Sequence, residues 1–279
     1  MNRNSSVLPT AAHGPKGMRD TSMLIFSVHG GGKTYLASTI PRSLSIDLEG
    51  GTNLLHATAV QPRTWEELTG IVTALGVEDH KFDSVVLDTA DRAWSLCEDA
   101  VCRQLGIPYI GAAARGKDWS LAKSMWSRFV WSLVGLRAAP APGETEGRKI
   151  MPWFLAHQKT VPMTRSVEGS SIDTGRSVLT VSLPNTAKLI LCSAVDFVLH
   201  LRVDPEEAKK PEWAEVQAAT GGRFLLTQPS ETASFVVEAK GRGMPGQSLP
   251  SLVPAHFPTL VRLFQATYNP TPSEGEPTS

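Results

Sequence analysis

The run Ser27-Val28-His29-Gly30-Gly31-Gly32-Lys33-Thr34 holds the residue types that phosphate chemistry needs. Consecutive glycines let backbone amides turn inward at phosphate oxygens with no Cβ in the way. Lys33 offers a cation for the β- and γ-phosphates, and Thr34 a hydroxyl for magnesium. The spacing fits G-x-x-x-x-G-K-[ST] except at the first glycine, where Ser27 stands; serine is tolerated there if its backbone stays at negative φ. His29, Gly30, Gly31, Gly32, Lys33, Thr34 and Tyr35 are therefore the expected nucleotide contacts, with ATP and Mg²⁺ as ligands. A metal-bound nucleotide also needs a carboxylate. Asp88 closes the apolar run Val85-Val86-Leu87 and is the expected second metal residue beside Thr34. Hydrolysis needs a group that polarises water. Glu49 follows an apolar run, and Gly50 and Gly51 leave it room to approach the phosphates. Asp47 is the alternative base, or a support for the site.

Those residues must be gathered by strand ends. Met23–Val28 reads as a buried strand and Lys33–Ile40 as a short helix stopped by Pro41. Ser43–Leu48 and Phe82–Asp88 read as further strands. Between them Trp65, Leu68, Val72 and Leu75 recur at helical spacing behind a Thr64/Glu67 capping box. Trp94, Cys97, Val101 and Leu105 mark one more helix, and Ala122, Met125, Trp126, Phe129 and Leu133 another. Their tryptophans are expected in the core. Ile150–Ala156 predicts a strand leading into His157 and Gln158, with residues 159–175 as a polar, turn-rich loop. Ser177–Leu183, Val195–Val203, Arg223–Thr227 and Ser234–Ala239 follow as strands, and Thr259–Gln265 as a short helix. Early strand–helix alternation implies an α/β fold with a mostly parallel twisted sheet flanked by helices; the later strands add an antiparallel edge. The expected organisation is a flexible segment 1–20, an ATPase domain 21–267 with a flexible connection at 138–148, and a disordered tail 268–279.

Lys+Arg 27 balances Asp+Glu 27, so nucleic-acid binding would need a local basic patch. Cys97, Cys102 and Cys192 fit neither a zinc spacing nor a paired disulfide framework, which points to a reducing compartment. No apolar run reaches the roughly 18–20 residues of a membrane span, and no signal-peptide core stands at the start.

The order phosphate loop, Asp47-Leu48-Glu49, Val85-Val86-Leu87-Asp88-Thr89, then a strand ending at Gln158, resembles the RecA-like P-loop ATPase core. The runs I-D-L-E-G-G-T at 46–52, R-G-K-D-W at 115–119, L-A-H-Q-K at 155–159 and A-K-G-R at 239–242 look like the phage Sak-type single-strand annealing proteins, a group of phage nucleotide-binding ATPases. The likeness covers about residues 23–265. Gln158 departs from it, standing where that group more often has an acidic residue.

The resemblance implies an ATPase acting on single-stranded DNA in recombination or annealing. Glu49 would activate water, and Gln158 would contact the γ-phosphate. Residues 159–176, with Lys159, Arg165 and Arg176, would form the DNA loop; Arg115 and Lys117 make a smaller basic cluster. Lys240 and Arg242, two apart on an expected strand, would reach the γ-phosphate of a neighbouring subunit. That makes a homo-oligomer with ATP between subunits, with a single-strand binding protein as a further partner and the bacterial cytoplasm as the location. The alternative is a nucleotide-binding regulatory or assembly protein with little turnover and no DNA role.

Overall fold

A computed structural model describes residues 17–137, 149–167, 170–241 and 248–268. The connection 138–148, Arg242 and all of the tail 268–279 except Tyr268 lie outside the described residues, as do residues 1–16 of the N-terminal segment. The elements in chain order are β1 (Met23–Ser27), α1 (Lys33–Ser38), β2 (Ser43–Asp47), β3 (Thr58–Val60), α2 (Trp65–Val77), β4 (Ser84–Asp88), α3 (Ala90–Leu105) and α4 (Lys117–Gly135). They continue with β5 (Met151–Val167), β6 (Ser170–Val181), α5 (Asn185–Ala194), β7 (Phe197–Val203), α6 (Pro205–Ala208), α7 (Ala214–Thr220), β8 (Arg223–Leu226), β9 (Ser230–Glu231), β10 (Phe235–Val237), β11 (Leu252–Pro254) and α8 (Phe257–Tyr268).

The sheet runs β11-β8-β7-β1-β5-β4-β2-β3. Its middle, from β7 to β3, is parallel; β8 and β11 join antiparallel at one edge. The fold is α/β, with a mostly parallel sheet flanked by helices. The central strands read as continuous apolar runs because both faces are covered. Alternation then divides each strand between two cores. Leu24, Phe26, Val85, Leu87, Phe154 and Ala156 face α2 to α5. Met23, Ile25, Val86, Trp153 and Leu155 face α1 and α8. By the same parity Asp88, at the carboxyl end of β4, and His157, where β5 leaves the parallel sheet, stand on the α1 side, whereas Gln158 and His200 stand on the other.

Helix ends follow local chemistry. Thr64 caps α2 by accepting from the Glu67 amide at 3.1 Å, and the Glu67 carboxylate accepts from Arg63 N rather than from Thr64. Gly106, at φ 64°, ends α3 in the left-handed conformation. Trp126 is buried on α4, donates Nε1–H to the Ala187 carbonyl at 3.1 Å and meets Trp94 edge-on, so both tryptophans are core residues.

Four expectations need correction. The polar loop at 159–175 is a hairpin arm: β5 continues to Val167 and pairs antiparallel with β6 from Gln158↔Val181 to Val167↔Ser170, with one register shift after Met163. Most of the arm's described residues are exposed, so neither face needs apolar residues and the period-2 signal vanishes although Thr, Val and Ile suit a strand. The helices α5, α6 and α7 were not foreseen; Ala187, Leu191 and Ala194 give α5 its short buried stripe. Met18–Asp20 of the expected flexible segment form a 3₁₀ turn with Met18 buried. Tyr268, expected in the tail, ends α8 with its ring against Phe264.

Candidate nucleotide site

β1 ends at Ser27, paired to His157 of β5 in extended backbone. That explains why serine suffices where the motif has glycine. The positive φ values come later, at Gly30 (68°) and Gly32 (96°), where a side chain would be strained. Gly32 also lies so close to Arg223 that a Cβ would land on the guanidinium. Arg223 Nε donates to the Gly31 carbonyl at 3.0 Å and its other end to Thr220 O at 3.2 Å, bracing the loop from β8. Lys33 opens α1 and folds back under the loop, donating to Ser27 Oγ (3.2 Å) and Val28 O (3.1 Å). Burial lowers its pKa, against the raising pull of Asp88, Asp91 and Glu49.

The Thr34 hydroxyl donates to Asp88 Oδ2 at 2.6 Å. Burial first, then the charges of Glu49 and Asp47, push the Asp88 carboxyl up to about 6, against the Thr34 hydrogen bond and Lys33. Asp47 is buried and closes the turn after β2. Its oxygens accept from the amides of Glu49, Gly50, Gly51 and Thr52 and from the Thr52 hydroxyl. Burial works to raise its pKa, but these bonds outweigh it and hold the carboxyl below the usual range. Asp47 thus supports the site, and the turn it closes delivers Glu49. Glu49 Oε1 accepts from the Thr89 hydroxyl at 3.1 Å, and Oε2 lies 3.6 Å from His157 Nε2. A cavity of about 310 Å³ is lined by His29 to Tyr35, Glu49, Gly51, Asp88 and His157, with Leu54 and Leu55 at its side.

A family model described as an AAA domain matches residues 19–242. The chain belongs to this AAA-domain family. The matched span covers both the glycine loop and every strand that meets it. A search of curated proteins returns no match. Among solved structures, a prototypical ATPase from the type III secretion system of pathogenic bacteria is similar at 17% identity with a TM-score of 0.41, over 76% of this chain and 61% of that one. The chain therefore spans under two thirds of that ATPase's length.

In this AAA domain the residues fit a magnesium nucleotide. Thr34 and Asp88 offer an oxygen pair suited to a hard cation, and Lys33 is a partly desolvated cation at a helix N-terminus behind a glycine loop. The cavity gathers all the expected nucleotide contacts, with His29 and Tyr35 exposed at its mouth.

Two expected site residues stand elsewhere. Gln158 Oε1 accepts from His200 Nε2 at 2.7 Å, on the sheet face away from the loop; strand alternation sends His157, not Gln158, into the cavity. Burial lowers the His200 pKa to about 4, with Arg202 adding to it, so His200 is neutral there. Lys240 sits beyond β10 in a single bridge with Val198. Its ammonium donates to the carbonyls of Cys192 and Val195 at 2.7 Å each, around the C-terminus of α5. The residues that reading the sequence missed are His157, Thr89 and Asp91. The parity of the run Trp153-Phe154-Leu155-Ala156-His157 was the available signal.

The Asp88 carboxyl binds its proton more tightly in the folded chain than in the unfolded one. Between pH 3.8 and about 6 the folded state then carries the extra proton, and stability falls as pH rises through that window. Without nucleotide or divalent cation, Asp88→Asn is expected to stabilise the protein at pH 7 by at most about 3 kcal/mol and to flatten the slope across the window. Urea unfolding at a series of pH values checks this; an unchanged slope would refute it.

Proposed function

We propose that the chain is a magnesium-dependent ATPase that couples hydrolysis to single-stranded DNA, in recombination or annealing. The observation that carries the ATPase part is the convergence of Lys33, Thr34, Asp88 and Glu49 on one cavity. Lys33 and the loop amides hold the phosphates. Thr34 and Asp88 would hold the metal, which would supply positive charge against the phosphates. Glu49 polarises the attacking water.

The arm formed by β5 and β6 is the proposed DNA element. β5 is one continuous strand with His157 in the cavity wall and Lys159 at the arm's base, so a shift at the site is felt in the arm. In an oligomer with ATP between subunits, Arg242 is the candidate for the trans contact, since Lys240 is committed to α5. A second reading is a nucleotide switch with no DNA role. It is favoured by the arm's own pairing: Arg176 bonds Glu231 at 2.6 Å, and Lys159 bonds the Leu183 carbonyl at 2.5 Å.

ATP hydrolysis with and without single-stranded DNA separates the two. The variant to compare replaces residues 163–176 by Asn-Gly, which closes the hairpin at the Pro162↔Ser177 pair. Basal hydrolysis is expected to survive and DNA stimulation to vanish. If the wild type neither binds DNA nor responds to it, the switch reading stands instead.

A further inference from the structure

The cavity wall holds a pair that the phosphate, metal and base roles leave unused. Asp91, in the first turn of α3, spends its whole carboxylate on one residue. Oδ1 accepts from the His157 backbone N–H at 2.9 Å, and Oδ2 accepts from the His157 ring at Nδ1, 2.8 Å away. An ionised carboxylate only accepts, so the ring proton sits on Nδ1, and in the neutral imidazole Nε2 carries a lone pair. The ring cannot turn away. It is buried, and the His29 ring stacks on it at 3.6 Å between centroids and 19° between planes.

Nε2 faces Glu49 Oε2 at 3.6 Å, and in the neutral ring protonated at Nδ1 it presents a lone pair there. Two acceptors at that distance do not bond each other, but a single water can donate one hydrogen to each. Its oxygen lone pairs are then left for an electrophile. The other titratable groups at this point are Lys33, whose ammonium feels Asp88, Asp91 and Glu49, and His29 on the loop.

We propose that His157, its tautomer fixed by Asp91, holds the attacking water jointly with Glu49. The proposal rests on the ATPase reading above. The water oxygen bonds to the γ-phosphorus as the bond from that phosphorus to the bridging oxygen breaks, and its electron pair leaves with ADP. One water proton passes to Glu49 and then to solvent. The other, the one directed at Nε2, stays on the phosphate product. Asp91 is a positioning residue, and His157 touches the reacting water.

Asp91→Asn is the discriminating variant because it keeps the shape. With its carbonyl accepting from the His157 amide, its NH₂ must donate to Nδ1. The ring proton then moves to Nε2, which becomes a donor bonded to Glu49. We expect kcat to fall roughly tenfold to a hundredfold, with KM and the affinity for a fluorescent ATP analogue unchanged. His157→Ala should fall as far, and His157→Gln should recover part, its amide oxygen restoring an acceptor. Long-range ¹H–¹⁵N spectra of the histidine rings, taken without nucleotide, should show His157 protonated at Nδ1 in the wild type and at Nε2 in Asp91→Asn. Protonation at Nε2 in the wild type overturns the proposal. So does wild-type kcat in both Asp91→Asn and His157→Ala while Lys33→Ala and Glu49→Gln are impaired, and that outcome leaves the ATPase reading standing. No loss in any of the four overturns both.

Discussion

Glu49→Gln is expected to lower kcat for ATP hydrolysis at least about 100-fold while nucleotide binding persists. The backbone that carries Glu49 is fixed by Asp47, whose Oδ1 accepts from the Glu49 amide at 3.1 Å and from Gly50 at 2.7 Å, and none of these bonds involves the Glu49 side chain. Glutamine keeps the length and can still accept from the Thr89 hydroxyl, so the turn and the cavity wall survive. What it loses is the capacity to take a proton. It also removes a negative charge close to where the γ-phosphate would lie, so affinity for ATP should hold or rise. Single-turnover hydrolysis beside equilibrium binding of a fluorescent analogue separates the two effects. If binding falls in step with turnover, Glu49 is serving the fold or the ligand and is not the base. A variant arrested in this way is also the right material for testing DNA binding in the ATP-bound state.

The candidate phosphate site was legible in the sequence because each part of it is a local signal. The glycines, Lys33 and Thr34 are contiguous, and Asp88 and Glu49 each end or follow a short apolar run. What a single sequence conveys less well is which way a strand-end residue points. Placing Gln158 in the site needs only a register one residue off, yet one residue turns a side chain to the opposite face of the sheet. The flanking residues contained the answer, since Trp153 and Leu155 share their face with His157. Asp91 was hidden for another reason. Its partner is 66 positions away, and nothing near it distinguishes it from an ordinary acidic residue in a helix's first turn. The arm was missed because its exposed faces impose no pattern, and Lys240 because a lysine that caps a distant helix looks, in sequence, like a lysine on an edge strand.

Lys33→Ala is expected to be the most damaging substitution for function and among the mildest for stability. In the folded chain Lys33 is 5% exposed, donates to Ser27 and Val28, and sits among Asp88, Asp91 and Glu49. Removing it relieves the cost of desolvating an ammonium, but it leaves those carboxylates without their cation. The two effects oppose each other, so unfolding free energy should move by only about 1 kcal/mol. The phosphates of ATP meet no such cancellation. They would enter a cavity whose remaining side chains include Glu49 and Asp88, with the metal alone left to offset the added charge. We expect kcat/KM to fall roughly 100- to 1,000-fold, with most of the loss in nucleotide affinity. Lys33→Arg should not rescue it, because the planar guanidinium cannot follow the path under the loop that leads the ammonium to Ser27 Oγ. Urea unfolding and ATP binding on the same preparations provide the check. An intact fold with lost binding assigns Lys33 to the phosphates. An intact fold with full binding would mean that Ser27–Thr34 is only a glycine turn, and with it the nucleotide reading of the cavity would fall.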